Sequence, residues 1–281
     1  MNNPSVTVIV LNWNGRELVL RCLRSLQGLT YPNYDVLVVD NGSEDGSVDA
    51  ISLDFPEVQV IRLPENYGFA RGNNEGLKEA WEKEPDWILF LNNDTEVDPD
   101  LLNALIAGTE QYPKSGLFGP KIYYGDKNLI WYAGGEISFF LGRTRHRGIR
   151  QQDREDFDQP GPTDFVSGCC LLIRSDLVQR LEGFNTRYPM YMEDVDLCYR
   201  ASQIGIPSYY LPSGKVWHHV SSSLGGELSL RKVWLKWCSS MRFFWAYAKP
   251  WRWITILIYQ ILFYTMIGPI RYTKQKWFRV A

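Results

Sequence analysis

The chain has 281 residues, of which 45% are hydrophobic, and this length fits one domain or one domain with an appendage. Its 30 basic and 32 acidic residues leave a formal net charge of −2, and no nucleic-acid partner is expected. The five cysteines are an odd number without CxxC spacing, which argues against a disulfide framework or a zinc knuckle and favours a reducing compartment.

The first 112 residues alternate between apolar, β-branched runs and segments with helical spacing. Four runs predict strands, namely VTVIVLN, YDVLVVD, VQVIRL and WILFLN, and helical spacing appears in ELVLRCLRSLQ and GFARGNNEGLKEAWEK. This alternation predicts an α/β fold with a doubly wound, mostly parallel, Rossmann-like sheet. Because MNNPS leads directly into the first strand without a basic leader, we expect no signal peptide and a catalytic part in the cytosol.

Polar residues follow three of these strands, at the carboxyl ends where ligands of such sheets bind. The three ends read Asn12-Trp13-Asn14, Asp40-Asn41-Gly42 and Asn92-Asn93-Asp94. The motif of a Rossmann dehydrogenase (GxGxxG) is absent, and so is that of a P-loop enzyme (GxxxxGK followed by Ser or Thr). Hydride transfer and Walker-type phosphate binding are therefore disfavoured.

Two acids at these strand ends each allow two interpretations. Asp40 can accept hydrogen bonds from a base or ribose, or it can form the turn before Asn-Gly, and the stretch favours neither. Asp94 in LNNDTEVD suits a hard divalent cation that binds diphosphate oxygens, or it caps the next helix. Asp98 fits the cap better because it directly precedes Pro99, so the metal interpretation of Asp94 is favoured.

The segment NYGFARGNNEGL places Arg71 between Gly68 and Gly72 at a predicted helix start, which allows close approach to an anion. The last predicted strand ends at His218-His219. Neighbouring residues of a strand point to opposite faces, so at most one of these imidazoles is expected to serve a site.

The stretch from about residue 115 to residue 163 is aromatic and punctuated by glycine, which predicts hairpins and then a polar loop able to cover a substrate. Residues 190–201 read MYMEDVDLCYRA, with three acids at a predicted helix start. These acids suit the positive end of the helix dipole, with Asp196 paired to Arg200, or they include a general base beside a pocket.

Residues 228–281 form a basic, Trp-rich tail. No acid follows Glu227, whereas ten basic residues and six of the eleven tryptophans do. The 18 uncharged residues between Arg252 and Arg271 would span about 27 Å as a helix, barely the hydrocarbon thickness of a bilayer. A helix lying in the membrane interface fits at least as well as a spanning one, and membrane association is favoured over packing on the body or on a second copy, because packing does not explain charge of one sign.

Taken in order, these motifs resemble the family 2 glycosyltransferases of the GT-A fold, in particular their bacterial rhamnosyltransferase-like branch. The resemblance covers roughly the first 225 residues. Its matching stretches are VTVIVLNWNGRELVLRCLRSL, VLVVDNGSEDGS, NYGFARGNNEGL, LFLNNDTEVD, FVSGCCLLIR, GFNTRYPMYMEDVDLCYRASQIG and VWHHVSSS.

The resemblance implies a site made of four groups of residues. The donor nucleotide-sugar would be bound by Leu11, Asn12, Asp40, Asn66, Gly68, Arg71, Asn92 and Asn93. Mg²⁺ or Mn²⁺ would be held by Asp94 and His218, although the first two positions of the DxD-type motif are Asn in this chain. Asp194, with Glu193 as the alternative, would be the catalytic base. The acceptor region would contain Trp131, Ser167, Gly168 and Tyr191.

The resulting expectation is a catalytic domain over residues 1–227, with a nucleotide-binding half (1–112), an acceptor-binding half (113–227) and a helical, membrane-associating appendage (228–281). It would transfer one sugar, with rhamnose as one candidate, from a dTDP- or UDP-sugar to a lipid-linked or cell-surface glycan, with inversion. The family's processive QxxRW motif is absent, so single transfer is expected. We place it on the cytoplasmic side of the membrane and leave a homodimer open. The alternatives are a nucleotidyltransferase and a non-catalytic nucleotide-sugar-binding scaffold.

Overall fold

The computed structural model describes residues 3–125, 127–188, 190–219 and 230–262, without the side chains of residues 230–233. The first part of the chain forms strands and helices in alternation, as the sequence predicts. Its elements are β1 Val6–Asn12, α1 Arg16–Gln27, β2 Tyr34–Asp40, α2 Ser47–Asp54, β3 Gln59–Arg62, α3 Gly68–Ala80 and β4 Trp87–Asn92. Strands β1 to β4 are parallel, and Asn12 lies in register with Asp40, so their polar ends share one sheet edge.

The second part contains the predicted hairpins and five further helices before the described chain ends. Its elements are β5 Thr95–Val97, α4 Leu101–Gln111, β6 Leu117–Tyr124, β7 Ile130–Tyr132, β8 Gly135–Ser138, β9 Arg143–His146, β10 Gly161–Thr163, β11 Cys170–Arg174, α5 Ser175–Arg180, α6 Glu193–Gln203, β12 Ser208–His218, α7 Leu230–Tyr247 and α8 Arg252–Leu262. Two short 3-10 turns lie at Trp81–Lys83 and Glu155–Phe157.

The main sheet has the order β10-β12-β6-β11-β4-β1-β2-β3, with β5 on β12 and β7 on β6. The expectation of a mostly parallel sheet is correct for β1 to β4 and for the pair β6–β12, and it is wrong for β5, β7, β10 and β11. Strand β11 runs antiparallel to both of its neighbours, β4 and β6. The chain between β6 and β11 carries hairpin strands rather than a crossover helix, so nothing forces β11 to return parallel. The result is a mixed sheet.

Two glycines of α3 let this helix pack directly on the sheet. A β-carbon on Gly76 would lie 2.7 Å from Val39 Cγ2 and 2.8 Å from Ile9 Cγ2. A β-carbon on Gly72 would lie 2.7 Å from Leu11 Cδ1. Helix packing therefore accounts for the glycine at 72 that the sequence analysis associated with anion approach.

The inner faces of α7 and α8 pack on the part of the chain that precedes them. Phe243 and Phe244 are fully buried, and both rings contact Phe139. From the end of α7, Tyr247 Oη donates a 2.8 Å hydrogen bond to Asp196 Oδ1. In α8, Gln260 Nε2 donates to the carbonyl of Gly142 at 2.9 Å. The described part of the tail is thus a helical unit held to the rest of the chain by buried aromatic and polar contacts. Packing of this kind was the alternative to a membrane contact in the sequence analysis.

The outer faces of the same helices remain apolar and exposed. Trp245 is 76% exposed, and an exposed stripe along α8 contains Ile254, Leu257, Ile258 and Ile261. None of the helices in the described ranges combines the length and the apolar character needed to cross a bilayer. Residues 263–281, which include the rest of the predicted uncharged segment, lie outside the described residues. Membrane association of the tail therefore stays a prediction.

Candidate active site

The side chain of Asn12, at the end of β1, hydrogen-bonds to two other predicted donor-binding residues, Asp40 at the end of β2 and Asn93 just after β4. Its Nδ2 donates to Asp40 Oδ1 at 3.2 Å, and its Oδ1 accepts from Asn93 Nδ2 at 2.7 Å. Asp40 Oδ2 also accepts the backbone N–H of Ser43 at 3.0 Å, and the side chain is 1% exposed. Asp40 therefore makes the turn contact that was one of its two interpretations, and base recognition stays a prediction.

Asn41, which the sequence analysis did not select, organises the loop before α3. Its Oδ1 accepts the N–H of Tyr67 at 2.8 Å, and its Nδ2 donates to Asn66 Oδ1 at 3.0 Å. The same Asn66 oxygen accepts the N–H of Gly68, which has a φ of +76°. Arg71 lies exposed at the edge, with its guanidinium 3.5 Å from the centre of the Tyr67 ring. The loop thus presents a cation held in place by an aromatic face.

Asp94, between β4 and β5, meets His218 at the end of β12, the strand that pairs with β5. His218 Nε2 lies 3.1 Å from Asp94 Oδ1, both side chains are nearly buried, and His218 Nδ1 has no hydrogen-bond partner among the described residues. His219 instead pairs with Glu96, so one imidazole of the two faces the site. Asp98 Oδ1 accepts the N–H of Asp100 at 3.0 Å at the start of α4, which leaves Asp94 outside the helix cap.

Glu193 and Asp194 open α6 after two residues in a strained backbone conformation, Tyr191 (φ +66°) and Met192 (φ +72°). Asp194 Oδ2 accepts the N–H of Gly168 at 2.9 Å, and its Oδ1 accepts the N–H of Val195 at 2.8 Å. Glu193 Oε2 is buried and has no hydrogen-bond partner in the described part of the chain. The two neighbouring carboxyls therefore have very different surroundings.

These surroundings decide where the negative charge lies. Burial raises the pKa of Glu193 well above its usual range, and repulsion from Asp194 raises it further. Burial also raises the pKa of Asp194, but two N–H groups and the charge of Lys236 oppose that shift. We therefore assign the proton to Glu193 and the charge to Asp194. Asp196 pairs with Arg200 at 2.7 Å, which confirms the predicted structural pair on this helix.

A cavity of about 310 Å³ brings half of the predicted site residues together. Its lining includes Asn92, Trp131, Ser167, Gly168, Tyr191, Glu193, Asp194 and His218. The predicted residues outside this lining lie at or after the ends of β1, β2 and β4 and around the start of α3, and they are Leu11, Asn12, Asp40, Asn66, Gly68, Arg71, Asn93 and Asp94. The predicted base, one of the two predicted metal ligands (His218) and the predicted acceptor residues thus line the same cavity.

Three polar residues of this cavity were missed from the sequence, namely Thr144, His146 and Lys236. The His146 ring makes edge-to-face contacts with the rings of Trp131 and Tyr132, and its Nδ1 lies 3.2 Å from the carbonyl oxygen of Trp131. Burial and the charge of Lys236 lower the pKa of His146 to about 3, so its ring is neutral at neutral pH. The β9 hairpin and α7 bring these residues in over long sequence separations, which local motifs do not signal.

The buried pair predicts a specific pH dependence of stability. A carboxyl whose pKa is higher in the folded state binds more protons when folded, so stability falls as the pH rises from about 4 through the raised pKa. Glu193→Gln removes that loss, and we expect its melting temperature to exceed that of the parent at pH 7.5 and to match it near pH 4. Glu17 is exposed in the first turn of α1 and provides the control Glu17→Gln. For this variant we expect no pH-dependent difference in melting temperature from the parent. A melting-temperature difference that is independent of pH would contradict the assignment.

The mixed sheet, with two acid-bearing sites at one edge, defines a protein of the GT-A glycosyltransferase fold. It is similar to a mannosyltransferase from Pyrobaculum calidifontis in complex with GDP-Man and Mn²⁺, with a TM-score of 0.61, 17% identity and coverage of 95% of this chain and 71% of that one. It is also similar to GalNAc-T7 with UDP, GalNAc and Mn²⁺, with a TM-score of 0.62, 18% identity and coverage of 77% of this chain and 44% of that one. At these identities the likeness concerns the fold.

The chain belongs to glycosyl transferase family 2, whose family model matches residues 7–182. Its sequence is 30% identical over 240 residues to the N-acetylglucosaminyl-diphospho-decaprenol L-rhamnosyltransferase of Mycobacterium tuberculosis (strain ATCC 25618 / H37Rv). That match covers 78% of each chain. The resemblance to family 2 and to its rhamnosyltransferase-like members is thereby confirmed.

Proposed function

We propose that this protein is an inverting glycosyltransferase that moves a single sugar from a nucleotide-activated donor to a lipid-linked or cell-surface glycan. The observation that carries the proposal is the shared cavity, which is lined by the ionised Asp194 and by His218, the side chain that contacts Asp94. The rhamnosyltransferase relative favours a deoxyhexose donor such as dTDP-rhamnose, with UDP-sugars as the other candidates.

Asp94 and His218 are the residues that would hold Mg²⁺ or Mn²⁺. The carboxylate is the oxygen ligand that both cations prefer, Mn²⁺ fits the added imidazole nitrogen better than Mg²⁺ does, and the orphaned Nδ1 of His218 is a buried polar atom without a partner among the described residues. The described residues contain no group of three or more acidic, His or Cys side chains that could hold a metal ion, so diphosphate oxygens and water would complete the coordination. When bound, the cation would neutralise charge on the leaving nucleoside diphosphate. Arg71 would add a second positive charge at the donor end.

Asp194 would act as the general base. It lies in the cavity with two backbone N–H groups that hold its carboxylate in place, and a raised pKa strengthens it as a proton acceptor. It would remove the proton from the acceptor hydroxyl while that oxygen attacks the anomeric carbon opposite the leaving diphosphate. With Glu193 protonated, Asp194 would carry the only negative charge of the two neighbouring carboxyls. Trp131 and Tyr191 would shape the volume in which the two sugars meet.

The test is a panel of nucleotide-sugars incubated with the full chain, in Mn²⁺ and in EDTA. The panel is dTDP-rhamnose, UDP-glucose, UDP-galactose, UDP-GlcNAc and GDP-mannose. We expect slow, metal-dependent hydrolysis of one donor, because water can replace the acceptor. Pyrophosphate release from a nucleoside triphosphate would instead indicate a nucleotidyltransferase. Thermal stabilisation by a donor, with no turnover even when acceptors are added, would indicate a non-catalytic binding protein.

We further propose that the tail holds the protein to the cytoplasmic surface of the membrane as a peripheral contact. The exposed stripe of α8 is apolar, and Lys249 lies 5.2 Å from the ring centre of the exposed Trp251, as expected for an interfacial helix. We expect Ile254→Glu together with Ile258→Glu to move most of the protein from vesicle-bound to free in a flotation assay. Both positions are more than half exposed, so the packed face remains intact.

Leu53→Glu is the matched control, because Leu53 is 81% exposed on α2, away from the tail. It should leave vesicle binding unchanged. If the double variant stays vesicle-bound, the membrane proposal for this face is wrong. If the parent forms a dimer in detergent-free buffer that the double variant loses, the stripe is an interface between two copies instead.

A further inference from the structure

The helix α7 is hydrogen-bonded on both sides of the strained turn that precedes the predicted base. Before the turn, Ser239 Oγ donates a 2.7 Å hydrogen bond to the carbonyl of Met190. After it, Tyr247 Oη donates to Asp196 Oδ1 on α6 at 2.8 Å. One face of α7 is therefore held against this turn and the start of α6. The family model ends at residue 182, so it does not cover this helix.

Lys236 lies on that same face of α7. It precedes Ser239 by three residues and the fully buried Phe243 by seven, a spacing that places the three side chains on one side of a helix. Lys236 also lines the cavity of about 310 Å³ that Asp194 lines. The tail thus contributes a side chain to the candidate active site.

The titratable groups around Asp194 come from several elements of the fold. They are Tyr132, His146, Cys169, Tyr191, Glu193, Cys198, His218 and Lys236. Burial raises the pKa of the two thiols, the two phenols and Glu193, so these five groups keep their protons at neutral pH. His146 is neutral, and the imidazole of His218 lies against Asp94. Lys236 is the one Lys or Arg side chain among the described residues that line this cavity.

The cavity opposes the charge of Asp194, and Lys236 favours it. Apolar surroundings stabilise the protonated form of a carboxyl, whereas a nearby cation stabilises the ionised form. Trp131 and Phe165 belong to the lining, and burial raises the pKa of Asp194. The charge of Lys236 acts in the opposite direction. Burial in turn lowers the pKa of Lys236, and the charge of Asp194 opposes that change. Each group therefore stabilises the charged form of the other.

We propose that Lys236 is the charge partner of the general base, so that α7 of the tail completes the active site. Lys236 keeps its own proton and holds Asp194 ionised until the acceptor hydroxyl transfers its proton to that carboxylate. It acts through Asp194 and is therefore a positioning residue. The inference deepens the proposed function and rests on it for the reaction, but the charge pair can be measured without turnover.

The first experiment is a double-mutant cycle on the melting temperature of the full chain, with Lys236→Met and Asp194→Asn. The attraction within the pair is present above the pKa of Asp194 and is lost as the pH falls through it. We expect Lys236→Met to cost about 3 °C more at pH 8 than near pH 4, which corresponds to about one pKa unit. In the Asp194→Asn background its cost should be the same at both pH values. Lys236→Arg keeps the charge and should restore most of the difference.

The second experiment follows the pH dependence of dTDP-rhamnose hydrolysis, or of hydrolysis of whichever donor in the panel is cleaved. Without Lys236 the pKa of Asp194 rises, so in Lys236→Met we expect the fall of the rate at low pH to begin about one pH unit higher. Above that fall the rate should stay within about threefold of the parent. A purely structural role would lower the rate equally at every pH. Lys114→Met, in the exposed turn after α4, is the control and should change neither result.

The outcomes separate this role of Lys236 from the proposed function. A cycle without coupling at pH 8 overturns the proposal, and so does a fall of the rate that stays at the same pH. If Lys236→Met instead raises KM for the donor and leaves the pH dependence unchanged, Lys236 binds the donor and the charge-pair proposal is wrong. Donor hydrolysis without coupling keeps the transferase and removes this role. Coupling without turnover of any donor, with or without acceptor, supports the charge pair and removes the transferase.

Discussion

Asparagine in place of Asp194 is expected to lower the sugar-transfer rate about a thousandfold, the usual range for loss of a positioned general base. The amide cannot accept the proton of the acceptor hydroxyl. The amide also has one oxygen where the carboxylate has two, so it cannot accept the N–H of Gly168 on one atom and the N–H of Val195 on the other, as Asp194 does. The measurement is a single-turnover rate with saturating donor, accompanied by a melting curve that shows the fold is retained.

Two further variants make the Asp194 result specific. Glu193→Gln should lose far less activity, because the structure assigns Glu193 a proton that glutamine imitates. Asp176→Asn, on the exposed start of α5, removes the same charge outside the cavity and should be neutral. If Glu193→Gln is as damaging as Asp194→Asn, the charge assignment within the pair is wrong. Full activity of Asp194→Asn would remove the base proposal.

Alanine in place of Asp94 is expected to lower donor hydrolysis by at least about a hundredfold and to abolish its response to Mn²⁺. Asp94 is the acid nearest to His218, and the two side chains are the ligands that the proposal assigns to the cation. Binding of Mn²⁺ in the presence of the nucleoside diphosphate, followed by electron paramagnetic resonance, gives a readout that does not depend on turnover. His218→Ala should weaken the same binding to a smaller extent.

Asp98→Asn is the matched control for the metal site. Asp98 lies four residues further along the chain, and asparagine retains an oxygen for the N–H of Asp100. It should keep both the Mn²⁺ response and the hydrolysis rate. Metal-independent hydrolysis by the parent protein would instead show that Arg71 and backbone dipoles stabilise the leaving group without a cation.

Much of the fold and part of the site could be read from local patterns. The predicted polar ends of three parallel strands meet in the sheet, since Asn12 pairs with Asp40 and the neighbouring Leu11 pairs with Asn92. Local patterns could not reveal that β11 is antiparallel, because that depends on how the chain between β6 and β11 folds back. They also could not reveal His146, which reaches the cavity through the β9 hairpin.

By itself, the sequence determined the α/β alternation, the polar strand ends and the acidic start of α6, because each depends on residues close together in the chain. The family assignment rested on those same short motifs and is confirmed. Only the tertiary structure decided which of the two α6 acids is hydrogen-bonded and which is left without a partner. It also decided that α7 packs on the preceding part of the chain and brings Lys236 to the cavity that Asp194 lines. Burial and long-range contacts set both outcomes, and no local run of residues encodes them.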